Sequence, residues 1–277
     1  EYIDNDTWNF DIFRSVAKKL TKTENGKTSR YGFCCEDIIS SFVLANGGTF
    51  IDMTGDKATL QLGNSAGMEA MQYVMDLYNV DKSVPTNAVL EKMGNPTVLD
   101  LFSKGNVAMT AYGVWAGPAF QNAGIDPADL GWIYYPKGKN ADDYIIPGAT
   151  PGRTMVVPAL VNKPEEVVAA LADALGYWGE NKEYPKSIES YYDDVVNHDQ
   201  MLDILVGNNK KCFLEGAAKT KYTNLYNYEG IIDIYGEMTQ KLLDNELTPK
   251  AAIDSYSAKI QSKIDIIENG INLEDFQ

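Results

Sequence analysis

The segment Gly113-Val114-Trp115-Ala116-Gly117 sets an indole between two glycines where an apolar strand, Asn106–Tyr112, gives way to a helix. An indole so placed can project into a crevice and offer a flat, weakly polar face. The axial C–H faces of a pyranose stack on such rings, and its edge hydroxyls find polar groups nearby. A tryptophan packed into the core is the alternative reading. Glu36 and Asp37 form a second candidate, because this acid pair starts a helix directly after the strand Tyr31-Gly32-Phe33. In an open α/β sheet the strand-to-helix loops line the ligand crevice, although acids at a helix N-terminus also simply oppose its dipole. A third candidate is the tyrosine- and asparagine-rich run from Tyr222 through Tyr226 to Tyr228, ahead of a helix. Its side chains suit polyol recognition, and loop-to-helix packing explains them equally well.

Other chemistries find little support. The single histidine, His198, excludes every multi-histidine metal site and leaves one possible triad base. No Gly-x-Ser-x-Gly elbow accompanies it, so it reads as a surface residue. Gly26-Lys27-Thr28 echoes the end of a phosphate-binding loop, but Thr21 stands where the first glycine belongs and a helix, not a strand, precedes it. It reads as a turn. The acid pairs Asp142-Asp143, Glu165-Glu166 and Asp193-Asp194 read as solvated charges, since adjacency in sequence says nothing about the carboxylate separation a glycosidase needs. Cys34 and Cys35 are neighbours and Cys212 is distant, so the three cysteines make no disulfide framework. No cofactor is implied.

A net charge of −15, with arginine only at positions 14, 30 and 153, argues against nucleic acid and against an anionic membrane surface. No window approaches the eighteen or so apolar residues of a membrane helix. Glu1–Phe10 does not read as a signal peptide, and a mature chain would look the same.

The elements that must position these residues follow from periodicity. Trp8, Ile12, Val16 and Leu20 predict a helix over Thr7–Lys22, with Thr7 as cap. A helix over Glu36–Ala45 follows, then a hairpin of Thr49–Asp52 and Lys57–Leu62. Ser65 caps a helix with Met68, Met71, Met75 and Tyr78 on one face. Thr97–Lys104 is a short helix, the segment 115–123 another, and Gly131–Tyr135 and Thr154–Val157 are strands. Pro164 opens a helix ending near Trp178, with Val167, Val168, Leu171 and Leu175 inward. After about Tyr184 the pattern is helical: Asp199–Val206, Glu229–Asn245 and Thr248–Asn269. The class is α/β.

Several segments, in one order, resemble family 1 extracellular solute-binding proteins, the group of the maltose-binding protein. Thr7-Trp8, Ala17-Lys18-Lys19-Leu20 and Gly26-Lys27 look like that family's opening helix. Tyr31-Gly32-Phe33 and Ala45-Asn46-Gly47-Gly48-Thr49-Phe50 resemble its strand and turn. Leu101-Phe102-Ser103-Lys104-Gly105-Asn106-Val107-Ala108-Met109-Thr110, the most specific block, runs on into Gly113-Val114-Trp115, like a motif whose tryptophan commonly stacks on the sugar. Pro136-Lys137-Gly138, Asn162-Lys163-Pro164-Glu165-Glu166 and Glu246-Leu247-Thr248-Pro249-Lys250-Ala251-Ala252 are similar to later blocks. Val114 replaces the proline of the maltose-binding form, and Cys34-Cys35-Glu36-Asp37 stands where an acid–aromatic pair is expected.

The resemblance implies a type II periplasmic-binding-protein lobe with a helical C-terminal region and a partial second lobe. Residues 1–150 and 187–277 would form the C-terminal-type lobe, and 151–186 a crossover belonging to an N-terminal lobe that is otherwise mostly lacking. It implies reversible capture of a sugar or oligosaccharide for an ABC importer, without catalysis. The ligand-binding residues would be Trp115, Glu36, Asp37, Gly113, Arg153, Tyr226 and Tyr228. The partners would be the carbohydrate, membrane permease subunits and, through the incomplete lobe, a second copy. The location would be the extracellular face of a bacterial membrane, with a lipid anchor on a segment outside this chain. A glycoside hydrolase and a non-transport carbohydrate sensor are the rival readings.

Overall fold

A computed structural model of the chain describes residues 2, 5–52, 55–113, 116–145, 147, 161–180, 195, 199 and 230–268. The first helix, α1, covers Phe10–Leu20. Its cap is Asn9, whose side chain accepts from the Ile12 amide at 3.1 Å, whereas Thr7 turns its hydroxyl to the Tyr2 carbonyl. A hairpin of β1 (Lys22–Glu24) and β2 (Lys27–Cys35) follows. Asn25 and Gly26 join these strands, both at positive φ (52° and 76°), the backbone a tight two-residue hairpin demands. The Gly26-Lys27 echo of a phosphate loop is thus the turn its context suggested.

Next come α2 (Ile38–Ala45), the short antiparallel pair β3 (Ile51–Asp52) and β4 (Thr59–Leu60), and α3 (Ser65–Asn79). Asn64 caps α3, accepting from the Gly67 amide at 2.8 Å, so the cap sits one residue before the expected Ser65. The helices α4 (Asn87–Lys92) and α5 (Val98–Ser103) precede β5 (Val107–Ala111). Thr97 and Asp100 close α5 with a reciprocal capping box. Strand β5 lies parallel to β2, giving the sheet order β1-β2-β5, with Tyr31 opposite Val107 and Cys35 opposite Ala111. The remaining described elements are α6 (Gly117–Asn122), a 3₁₀ turn (Pro127–Asp129), α7 (Pro164–Glu180), α8 (Ile231–Leu243) and α9 (Pro249–Glu268).

Gly131–Tyr135, expected as a strand, joins no ladder. Its neighbourhood is used differently: the Tyr134 carbonyl accepts from the Trp8 indole Nε1 at 2.7 Å, and Lys137 forms one isolated parallel bridge with Asn9. The strand expected at Thr154–Val157, most of the helix expected at Asp199–Val206, and His198 and Cys212 lie outside the described residues.

One core gathers α1, β2, α2, α3, α8 and α9. Phe13, Phe33 and Phe42 meet edge to face at its centre, with ring centroids 5.0–6.1 Å apart. Met71, Met75 and Tyr78 of α3 are buried in it, while Met68 of the same predicted face is only half-buried, and Ala252, Tyr256, Ile260 and Ile264 of α9 form the buried stripe their spacing predicts. Close approach depends on particular glycines. A Cβ on Gly32 would stand 2.0 Å from the Ala17 carbonyl oxygen, so α1 can lie on β2 only where β2 has no side chain. Arg14 of α1 clamps the end of α3: its guanidinium bonds both carboxylate oxygens of Asp81 and reaches Asp76 at 3.2 Å, while Lys18 pairs with Asp81 at 3.2 Å. Burial alone would raise the Asp81 carboxyl, but the hydrogen bonds and charges of Arg14 and Lys18 outweigh it and hold the group below its usual 3.8.

Candidate functional site

The parallel pair β2–β5 ends in two turns side by side. Cys34 pairs with Thr110 and Cys35 with Ala111, and the Thr110 hydroxyl donates to the Cys34 carbonyl at 2.9 Å. The chain then leaves the sheet through Glu36-Asp37 on one strand and Tyr112-Gly113 on the other. Glu36, Asp37 and Gly113, chosen from sequence alone, are therefore brought together at the C-terminal edge of the sheet, and all three are exposed. This is where an open α/β sheet presents its ligand crevice. Trp115, Arg153, Tyr226 and Tyr228 lie outside the described residues.

The electrostatics of this edge are acidic. Burial, with the charge of Glu36 as second cause, raises the Tyr112 phenol above its ordinary 10. Burial pushes the Cys34 thiol up to about 12, again with Glu36 adding, and pushes Cys35 higher still. Both thiols are thus protonated, inert core groups. They face opposite sides of the sheet, Cys35 in the main core and Cys34 in a separate cluster with Val98, Leu101 and Val107. Among the described residues no group of three or more His, Cys, Asp and Glu side chains could hold a metal ion.

Asp37 departs from the ordinary. It precedes α2 as N-cap residue, but its backbone is left-handed (φ 42°, ψ 53°) and its side chain makes no capping bond. The carboxylate instead accepts from the Tyr235 hydroxyl of α8 at 3.5 Å, and that hydroxyl lies 2.8 Å from Ser40 Oγ. Desolvation raises the Asp37 carboxyl above its usual 3.8, opposed by Ser40 and Tyr235. Sequence reasoning missed Tyr235 and Ser40. Tyr235 occupies the apolar stripe Ile231, Tyr235, Met238, Leu242 and reads as core; only a phenol among aliphatics, which needs a partner, could have marked it.

A second joint supports this edge from behind. The turn after α2 buries Asn46, whose side chain donates to the Ala66 carbonyl at 2.9 Å. Gly138 lies against it so closely that a Cβ would stand 2.2 Å from Asn46 Oδ1. Two of the sequence blocks that carry the family resemblance, some ninety residues apart, thus dock on each other.

The sequence pattern described as bacterial extracellular solute-binding protein matches residues 2–176. The chain belongs to that family. Solved structures agree in fold. The maltose/maltodextrin-binding domain MalE from Bdellovibrio bacteriovorus, bound to maltotriose, superposes with a TM-score of 0.55 at 19% identity, over 93% of this chain and 67% of that one. The ABC substrate-binding protein Lmo0181 from Listeria monocytogenes, in complex with cycloalternan, gives 0.57 at 17%, over 93% and 64%. An ABC transporter solute-binding protein from Thermotoga lettingae, bound with α-D-tagatose, gives 0.59 at 19%, over 92% and 64%. No curated protein matches the sequence significantly. The chain therefore has the type II periplasmic-binding fold and spans about two thirds of the length of these structures. Among this solute-binding protein's described helices, none is long and apolar enough to cross a membrane.

Proposed function

We propose that this chain is the greater part of the substrate-binding component of an ABC importer, capturing a sugar or oligosaccharide reversibly outside the cell and presenting it to membrane permease subunits. The observation that carries the proposal is the parallel β2–β5 register, which sets Glu36, Asp37 and Gly113 at one edge of the sheet in a family of extracellular solute-binding proteins. Carboxylates accept hydrogen bonds from sugar hydroxyls, and Trp115, two residues beyond Gly113, would supply the stacking face. Arg153, Tyr226 and Tyr228 would complete the polar lining. The sugars in the solved relatives, maltotriose, cycloalternan and tagatose among them, support a neutral polyhydroxyl ligand.

In this reading residues 1–150 and 187–277 form one lobe, and 151–186 belong to the opposing lobe, most of which the chain lacks. The exposure of α7 supports that division: Val167 and Val168, expected from their spacing to face inward, are instead 36% and 53% exposed. A solvent-facing stripe is unfavourable by roughly 25 cal/mol per Å², so the opposing lobe or a second copy of the chain would cover it. A lipid anchor on a segment outside this chain would hold the whole at the extracellular face.

A thermal-shift screen against mono-, oligosaccharides and polyols tests the proposal, since ligand at about a hundred times Kd adds roughly 2.7 kcal/mol of stability. A saturable rise in melting temperature, with chromatography returning the sugar unchanged, is expected. Cleavage of a bound glycan by the pure protein would overturn the transport reading.

A further inference from the structure

Asp37 combines three features that do not belong together in an ordinary helix cap. An N-cap aspartate normally has extended backbone and turns its carboxylate onto the first free amides of the helix. Asp37 does neither: its φ of 42° is left-handed and it makes no cap bond. Aspartate tolerates left-handed backbone better than most side chains, but an N-cap residue is ordinarily extended. The Asp37 carboxylate is stabilised locally by the hydroxyl and amide of Ser40 and, from almost two hundred residues away, by Tyr235. Tyr235 is buried at 7% exposure, its ring packed edge-on to Phe50 at 5.8 Å, and its hydroxyl sits between Ser40 Oγ and Asp37 Oδ1.

The direction of this chain is fixed by chemistry. An ionised carboxylate only accepts, so Tyr235 donates to Asp37 at 3.5 Å, and the Ser40 hydroxyl, 2.8 Å from the Tyr235 oxygen, also bonds that carboxylate. We propose that Tyr235 is a positioning residue that, together with Ser40, fixes the direction of the Asp37 carboxylate at this edge. This rests on the solute-binding reading of the same edge. The C-terminal helix α8 thus helps set the geometry of an acid that belongs to the N-terminal half of the chain.

Among the described residues the titratable groups recorded around the turn are Glu36, Cys34 and Cys35 on the same strand end, Tyr112 across the parallel pair, Tyr135 against Cys35 and Tyr235 on α8, and none of these is a cation. The Tyr235 bond opposes the burial that raises the Asp37 carboxyl. Removing it should therefore raise that group further. The test is a ligand-free NMR titration of the Asp37 carboxyl carbon in the wild-type chain, in Y235F and in S40A. S40A leaves the aromatic ring in place and serves where loss of the phenol prevents folding. The proposal expects an upward shift of the Asp37 midpoint in each folded variant, with the other carboxyls unmoved. A variant that melts earlier but leaves the Asp37 midpoint unchanged would show a purely structural role and overturn it. Because no ligand enters the measurement, this outcome is independent of whether the chain binds sugar.

Discussion

Strand β2 belongs to two different regimes. In its middle, Gly32 is locked: the Ala17 carbonyl lies against its α-carbon, and its amide donates to the buried Ser83 carbonyl at 2.9 Å. A few residues on, Glu36 and Asp37 are exposed, the backbone is strained, and a carboxylate that could cap a helix points elsewhere. The first region is optimised for packing and the second departs from local optima, the pattern expected of a binding edge carried by a rigid scaffold. The contrast also explains what the resemblance to solute-binding proteins rests on. Trp8, Ala17, Gly32, Asn46 and Gly138 are blocks of that resemblance, and each is a scaffold contact. The turn Cys34-Cys35-Glu36-Asp37, where the resemblance departs, lies at the edge proposed to bind the solute.

The largest effect is expected from Gly32→Ala. Backbone cannot yield as a side chain can, so a Cβ 2.0 Å from the Ala17 oxygen should cost more than about 3 kcal/mol or prevent folding. Chemical denaturation measures it, and a loss under about 1 kcal/mol would show that α1 is not locked on β2. On the other side, Trp115→Ala should weaken sugar binding by about 2–3 kcal/mol, roughly a hundredfold in Kd, while the melting temperature stays put. Calorimetric titration beside a melting curve reads both; a fall in stability with unchanged affinity would place the indole in the core.

Asp81→Asn sharpens the scaffold half. It keeps the shape but removes the charge that Arg14 and Lys18 share, with an expected loss of about 2 kcal/mol at neutral pH. Because the folded Asp81 carboxyl lies below its ordinary 3.8, its contribution is fully present above that value and is lost as pH falls through the folded pKa. The variant should therefore show a shallower acid limb of stability than the wild type. Asp37 has the opposite sign. Its folded carboxyl lies above 3.8, so ionisation works against folding as pH rises through that interval. Asp37→Asn should be as stable as the wild type or slightly more so at neutral pH, yet bind sugar less well. Equal affinity in denaturation and titration experiments would remove Asp37 from the site.

Much of the scaffold was legible in the sequence because its signals are local. The four-residue spacing of Ala252, Tyr256, Ile260 and Ile264 is the buried face of α9, and Thr248 caps it, accepting from the Ala251 amide at 3.2 Å. The hairpin β3–β4 and the methionine face of α3 follow the same logic. The pairing of β2 with β5 was not legible, since it joins residues 76 apart, and only that register turns Glu36, Asp37 and Gly113 into neighbours. Gly131–Tyr135 was misread because its apolar residues suit a strand, while the partners that decide the matter, Trp8 and Asn9, lie more than 120 residues earlier. Tyr235 was invisible for the same reason: its helix stripe announces burial, but its partners Ser40 and Asp37 come from elsewhere.

Solute chemistry is proposed to reside at the C-terminal edge of β2–β5 and not on the scaffold behind it. An amide NMR titration with maltotriose, tagatose and ribitol tests this most directly. Saturable shifts that include Glu36, Asp37, Tyr112, Gly113 and Trp115, with α1 and the Asn46–Gly138 joint undisturbed, are the predicted result. Shifts concentrated on the outer faces of α8 and α9, or no response at this edge to any carbohydrate, would contradict it.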